Sequence, residues 1–309
     1  MISTTFRRTL LASGMTLVVG LAGLAPAAFA RATTPTVNHT HPALWEAHDS
    51  NTTIYFFGGV HALKKGIHWR FPALNKALAA SQTLYLEAAN LNQATVRPLV
   101  MRYGIDRKHA LSADLKPKEQ KLLQAAVKQL GMPGGMKAIN MMKPWLAAIS
   151  ISMAPIFKAG YDPKLGVYEQ LQQQFKQEGK SVKGFETAKE QMLFLAKLPQ
   201  PVQMDLLRKS LHDYALADTQ LTQIVDAWQH GRVQTLDKMM VKQMFDRSPK
   251  LYKVLLINRN KNWSHQIAKL MHTDTGTIFV AVGAGHLAGP DRLQVQLRKL
   301  GIQTTRIPQ

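Results

Sequence analysis

Apolar positions along this chain alternate with a strand-like period at both ends and follow a helical period through the middle. Residues 43–49 and 52–57 are two strand-like runs across an Asp49-Ser50-Asn51 turn, which predicts a hairpin. A run over about 71–80 with Pro72 in its first turn predicts a helix, and Thr83-Leu84-Tyr85-Leu86-Glu87 predicts a second core strand. From about 96 to 159 the spacing is helical, punctuated by Gly131-Met132-Pro133-Gly134-Gly135. The apolar run 145–157 is too short to span a bilayer and contains Pro155, so it reads as a buried helix. A helix over about 163–177 stops at Gly179, and 181–185 forms a short strand. Helical spacing then continues through 188–196, 201–230, 233–245 and 249–271, the last opened by Ser248 as N-cap and Pro249. The chain closes as strand 277–282, helix 290–300 and strand 302–306.

This order predicts an α/β (α+β) fold. The N- and C-terminal α/β segments form one central sheet, and a large helical insertion, about 92–271 with the short strand 181–185 inside it, caps that sheet. If strands 52–57 and 83–87 are parallel neighbours, His61 and Glu87 emerge together at the sheet edge where such folds bind ligands. The only internal echo is a pair of loops. Gly58-Gly59-Val60-His61 and Gly283-Ala284-Gly285-His286 each follow an apolar strand and place a histidine just beyond its end. Neutral imidazole is the commonest protein metal ligand, so two such loops meeting in space would supply half of a divalent-metal site.

The N-terminus changes the compartment. Arg7 and Arg8, an apolar stretch from Leu10 to Leu24 and an Ala28-Phe29-Ala30 cleavage site make residues 1–30 a secretory signal, with cleavage after Ala30. Residues 31–42, rich in Thr and Pro with His39 and His41, read as a flexible leader, and 43–309 as a single domain. A periplasmic or secreted protein without a transmembrane anchor is expected. Cysteine is absent, which excludes disulfides and lipoprotein attachment.

Cleavage would remove two of the 39 Lys+Arg and none of the 19 Asp+Glu, leaving a net charge of +18. Such a surface is weakly attracted to anionic envelope material. The cations are spread along the chain without a nucleic-acid motif, so no specific nucleic-acid partner is expected.

At this point the chain resembles the TraB/GumN family, which includes the Tiki-type membrane proteases. Three groups of residues carry the resemblance over nearly all of the mature sequence. The first is Gly58-Gly59-Val60-His61-Ala62-Leu63, followed by His68-Trp69-Arg70-Phe71-Pro72-Ala73-Leu74 and Leu84-Tyr85-Leu86-Glu87. The second is Gly179-Lys180-Ser181-Val182-Lys183-Gly184-Phe185-Glu186-Thr187 with Glu190-Gln191, and the third is Asn258-Arg259-Asn260 with Val280 through Pro290. The resemblance implies metal-dependent hydrolysis, as peptide-bond cleavage in the Tiki-like members, by two Gly-x-x-His histidines and an acid. Here those positions are His61, His286 and Glu87. Two departures stand out: Gly59 where many relatives have threonine, and Gly166-Val167-Tyr168 where relatives often carry an aspartate.

The residues support the same site from below. Two histidines and one carboxylate (His61, His286, Glu87) suit zinc, manganese, cobalt or iron, with an open position for water. No His-Glu-x-x-His helix is present, so this is not a zincin. Glu186 ends its strand as Glu87 does and is a candidate general base or orienting group. Arg259 lies four residues past Leu255 on a helix whose apolar face includes Leu251, Val254, Leu255, Asn258, Asn262 and Trp263. It must find an anion there (Glu87, Glu186 or substrate) or reach out to solvent. Gln191 is placed to brace Glu186.

Met132, Met136, Met141, Met142, Met239, Met240 and Met244 read as core filler, His39, His41 and His48 as adventitious ligands, and His212, His230, His265 and His272 as surface residues. The expected function is a metal-dependent hydrolase acting on a peptide or small molecule. The alternatives are a binding protein for haem or an anionic metabolite, or an envelope or polysaccharide factor.

Overall fold

The computed structural model describes residues 41–89 and 91–308. The expected signal segment 1–30 and the expected leader as far as residue 40, with His39, lie outside the described residues. Where the description begins, His41 stacks on Phe71 with ring centroids 3.6 Å apart.

Six strands form one mixed sheet: β1 (Leu44–His48), β2 (Thr52–Gly59), β3 (Thr83–Ala88), β4 (Ser181–Glu186), β5 (Gly276–Gly283) and β6 (Thr305–Arg306). Their order across the sheet is β4-β3-β5-β2-β1-β6. The four strands β4, β3, β5 and β2 run parallel, whereas β1 is antiparallel to both β2 and β6. The predicted hairpin is present. Its turn is fastened by the Asp49 carboxylate, which accepts from the Asn51 and Thr52 N–H groups at 2.9 and 2.8 Å.

β2 and β3 are parallel but not neighbours, because β5 from the far end of the chain lies between them. Burial explains the order. A strand between two parallel neighbours is covered on both faces and must be apolar throughout. Ile278 to Val282 of β5 are all buried, whereas the edge strand β4 exposes Ser181, Lys183 and Gly184.

Alternation along the strands divides the core into two layers. Phe57, Leu84, Leu86, Phe279 and Ala281 face the helical region, where they join Trp145, Leu171, Phe175 and Trp228. Ile54, Phe56, Tyr85, Ile278, Val280 and Val282 face the other way, onto Trp263, Ile267, Met271, Leu293 and Leu297. Burying each large apolar side chain contributes about 1.5–3 kcal/mol, so both layers help to hold the sheet. The predicted insertion therefore covers one face, while its last helix, Asn258–Thr273, crosses to the opposite face beside Leu293–Arg298.

Several predicted helices are interrupted. Residues 163–177 form a short 3-10 turn, Pro163–Leu165, then the helix Val167–Gln177 after an extended Gly166. Residues 201–230 break at Tyr214–Leu216, and 249–271 contains a widened π turn, Lys253–Ile257, in which the Asn258 N–H reaches back five residues to the Lys253 carbonyl. The last helix starts only at Leu293 because Arg292 is extended, and the last strand shortens to two residues. Met239, Met240 and Met244 are buried core residues, as expected, and Met132, Met136 and Met142 pack against the core partly buried, whereas Met141 is exposed and fills no core. Among the described residues no helix is long and apolar enough to cross a membrane.

Candidate active site at the ends of four parallel strands

Register decides whether the two Gly-x-x-His loops meet. Gly58 pairs with Val282 and Gly59 with Gly283, so adjacent parallel strands release the two motifs at the same level. Glu87 ends β3 on the other side of β5, and Glu186 ends β4, beside Ala88. Reading across the sheet, four consecutive strands thus present Glu186, Glu87, His286 and His61 along one carboxyl edge, where open α/β sheets gather their ligands.

Arg259 ties this row together from the covering helix. Its Nε and Nη2 donate to Glu186 Oε1 and Oε2, both at 2.8 Å, a two-pronged pairing. Nη2 also donates to Glu87 Oε2 at 2.6 Å, and Nη1 donates to the Leu255 carbonyl at 3.3 Å and to His286 Nε2 at 3.2 Å. All five N–H bonds of the guanidinium are used. Arg259 is 3 % exposed, so it does not reach solvent; it lies over the Trp263 ring at 4.6 Å and the Phe194 ring at 5.4 Å. Gln191 braces the far carboxylate, donating from Nε2 to Glu186 Oε2 at 3.1 Å.

The tautomer of His286 follows from its partners. A guanidinium only donates, so Nε2 must accept and Nδ1 must carry the proton. Nδ1 lies 2.7 Å from Asn260 Oδ1, and the Asn260 amide donates to the Asp291 carbonyl at 2.8 Å and the His286 carbonyl at 3.3 Å. Asn260 is fully buried, and with its amide hydrogens spent its oxygen is left to accept from the imidazole. Glu87 is fixed equally firmly. Its Oε1 accepts from the Gly283 N–H at 2.7 Å, and a Cβ on Gly283 would come within 3.0 Å of that oxygen.

His61 differs. Part of its surface reaches solvent, yet Nε2 is buried and has no hydrogen-bond partner. The ring stacks on Tyr168 with centroids 4.2 Å apart, and the Tyr168 hydroxyl is likewise buried and unpartnered. The loop is held from behind. Val167 N–H donates to the Val60 carbonyl at 3.0 Å, and a Cβ on Gly166 would meet the His61 carbonyl oxygen at 2.2 Å, so only glycine lets the two chains touch.

Burial sets the charges. It lowers His61 to about 4, with Glu87 opposing and Arg259 reinforcing the shift. It lowers His286 to about 3, helped by Arg259, so both rings are neutral at pH 7. Burial alone would raise Glu87, but Arg259, His286 and His61 outweigh it and hold the carboxyl at about 2. Glu186 goes the other way: burial and the neighbouring Glu87 raise it despite Arg259. Burial lowers Arg259, but its two carboxylates more than compensate and keep it charged.

His61, Glu87, Glu186, Arg259 and His286 are therefore brought to one place. Two further residues escaped the sequence reading. Asn258 is exposed and Asn260 is buried, because the π turn at Lys253–Ile257 spends more than four residues per turn and keeps 251, 255, 259 and 263 in line. Tyr168 was visible only as a departure from relatives; nothing in its local pattern points to a histidine 107 positions earlier.

A model of the TraB/PrgY/gumN family matches residues 43–306. The chain belongs to this family. It is also 27% identical to the protein named "Uncharacterized protein YbaP" of Escherichia coli (strain K12) over 264 residues, covering 84% of this chain and 94% of that protein. The protein of the same name from Shigella flexneri aligns to the same extent. No solved structure matches the chain. The span matched by the TraB/PrgY/gumN model contains every residue of the site.

The donor set suits a divalent ion in kind. His61 Nε2 is buried without a hydrogen-bond partner, His286 Nε2 directs its lone pair toward Arg259, and ionised Glu87 has Oε1 3.9 Å from that nitrogen. Asn260 behind His286 is the kind of outer partner that orients a ligating imidazole. Among the described residues, however, no three His, Asp or Glu groups already close on a common point, and Arg259 donates into the space beside His286.

Proposed function

We propose that this TraB/PrgY/gumN protein is a secreted or periplasmic metal-dependent hydrolase, with peptide bonds as its substrate class. His61, His286 and Glu87 are the residues that would hold the ion. The reading rests on one observation above the others: a buried, neutral His61 whose Nε2 has no partner stands in one row with a neutral His286 and an ionised Glu87. A bound divalent ion would acidify water and polarise a carbonyl oxygen. The chain itself does the positioning. Asn260 holds His286 in the accepting tautomer, and Gly283 with Arg259 clamps Glu87. Arg259 and Gln191 engage both oxygens of Glu186, which suits orienting the cluster more than abstracting a proton. The Tyr168 hydroxyl, protonated and unpaired, is available to donate to an oxygen of bound substrate. The signal-like N-terminus supports the address.

A second reading is a non-catalytic pocket for haem or an anionic metabolite, and it draws on the saturation of the Arg259 network. The deciding experiment is elemental analysis of protein purified without chelator, followed by a peptide library with and without added zinc, manganese, cobalt or iron. Bound metal and metal-stimulated cleavage are expected, both lost in His61→Ala and His286→Ala. Metal retained by both variants would refute the ligand assignment. A Soret band, or ligand bound without turnover, would favour the second reading.

A further inference from the structure

A second cleft, of about 580 Å³, opens where β6 and the segment following His286 face the helical region, and it shares no residue with the site above. Its size falls within the roughly 300–1,000 Å³ of small-ligand sites. Arg292, Arg298 and Arg306 line it together with Trp45, Asp237 and Gln294. None of the three arginines forms a salt bridge among the described residues. Two are positioned by backbone carbonyls: Arg292 Nη1 donates to the Gly289 carbonyl at 2.8 Å and lies close enough to Asp237 to oppose the rise that burial gives its carboxyl, and Arg306 Nη2 donates to the Gly231 carbonyl at 3.0 Å. Arg306 also lies over the Trp45 ring at 5.9 Å, and Arg298 is exposed.

The same wall carries acceptors that lack donors. Gln294 is 8 % exposed; its Nε2 is spent on the Leu287 carbonyl at 3.3 Å, and its Oε1 is buried with no partner. Asp237 Oδ1 is likewise buried and unpartnered. A buried acceptor without a donor is costly and calls for one from outside. A simple inorganic anion would engage the guanidiniums and leave both acceptors unsatisfied. A neutral sugar would do the reverse.

We propose that this cleft binds an acidic sugar, a hydroxyl-bearing ring with a carboxylate or phosphate. The acid meets the unpaired arginines, ring hydroxyls donate to Gln294 and Asp237, and the ring's apolar face has Trp45 to rest on.

Titration calorimetry on the full secreted chain tests this with digalacturonate, glucose 6-phosphate, cellobiose and inorganic phosphate. Saturable binding of at least one acidic sugar is expected, with cellobiose and inorganic phosphate weaker by about tenfold or more. Which acidic sugar binds tells a uronate source from a phosphorylated one. Arg298→Gln, which removes no side-chain hydrogen bond or ion pair among the described residues, should weaken that binding by about tenfold, and the Arg292→Gln/Arg298→Gln pair should abolish it. Lys118→Gln, on the exposed start of the helix Pro117–Leu130, should leave it unchanged. Inorganic phosphate binding as tightly as the sugars would overturn the proposal, as would no binding of either acid. Wild-type affinity in the paired variant with its melting temperature intact would do the same.

Discussion

The two Gly-x-x-His loops share a motif, a strand register and a sheet edge, yet their histidines are held in opposite ways. His286 is locked, with both ring nitrogens engaged and its carbonyl bonded to Asn260. His61 is spare: it is stacked on Tyr168, and its Nε2 is sealed from solvent and bonded to nothing. The motif therefore provides placement only. What each imidazole can do is set by the element packed against it, the arginine- and asparagine-bearing helix Asn258–Thr273 for one and the start of Val167–Gln177 for the other.

The largest effect should come from the group that serves the locked half. Arg259→Ala leaves two buried carboxylates facing each other without a cation, and a loss of about 3–5 kcal/mol is expected in urea unfolding. A near-neutral result would mean that the glutamates escape to water and that the network is not structural. The contrast itself is tested by pairing His286→Ala with His61→Ala. Both open a cavity, but only the first strands the Asn260 oxygen, so His286→Ala should cost about 1–3 kcal/mol more. Equal losses would erase the distinction between the halves.

Acid should strip stability from both loops together. His61 at about 4 and His286 at about 3 lie below the ordinary 6.5, so the folded chain binds fewer protons than the unfolded one below that value. Their contribution is complete above pH 6.5 and is lost as pH falls toward 3. Glu87, at about 2 against an ordinary 4.5, adds a loss below 4.5, while the raised Glu186 opposes it in part. Melting temperature against pH should therefore decline from about 6.5 downward, and the decline should be shallower in His286→Ala. A flat profile between 6.5 and 4 would contradict buried neutral imidazoles. The smallest stability change is expected for Tyr168→Phe, below about 0.5 kcal/mol, because its buried hydroxyl has no well-formed hydrogen bond and only the Gly59 backbone close by. If that hydroxyl serves substrate, turnover should fall in this variant while bound metal stays constant.

Much of this was legible in the residues. The hairpin, the four core strands and the buried helix Pro144–Lys158 follow from apolar period, turn chemistry and proline position, which are local properties. His61, Glu87, Glu186 and His286 were each legible as groups just past a strand end. The insertion of β5 between β2 and β3 was not, since strand order depends on which strands can be covered on both faces. Asn258 was expected on the apolar face, but Asn260 is buried instead because a π turn shifts the buried face, and no local signal marks such a turn. Tyr168 was missed because its contact with His61 is made where the start of the helix Val167–Gln177 meets a distant loop, an approach that Gly166 permits.

By itself the chain's order of residues determined the elements, the mixed α/β class and which side chains had chemistry to offer, because each depends on near neighbours. Tertiary structure alone decided that four strand ends lie in a row, that one arginine spends four of its five hydrogen bonds on them, and that one histidine is locked while its twin is left spare. Those outcomes depend on burial, which raises the cost of every unpaired charge and exists only once distant segments have packed.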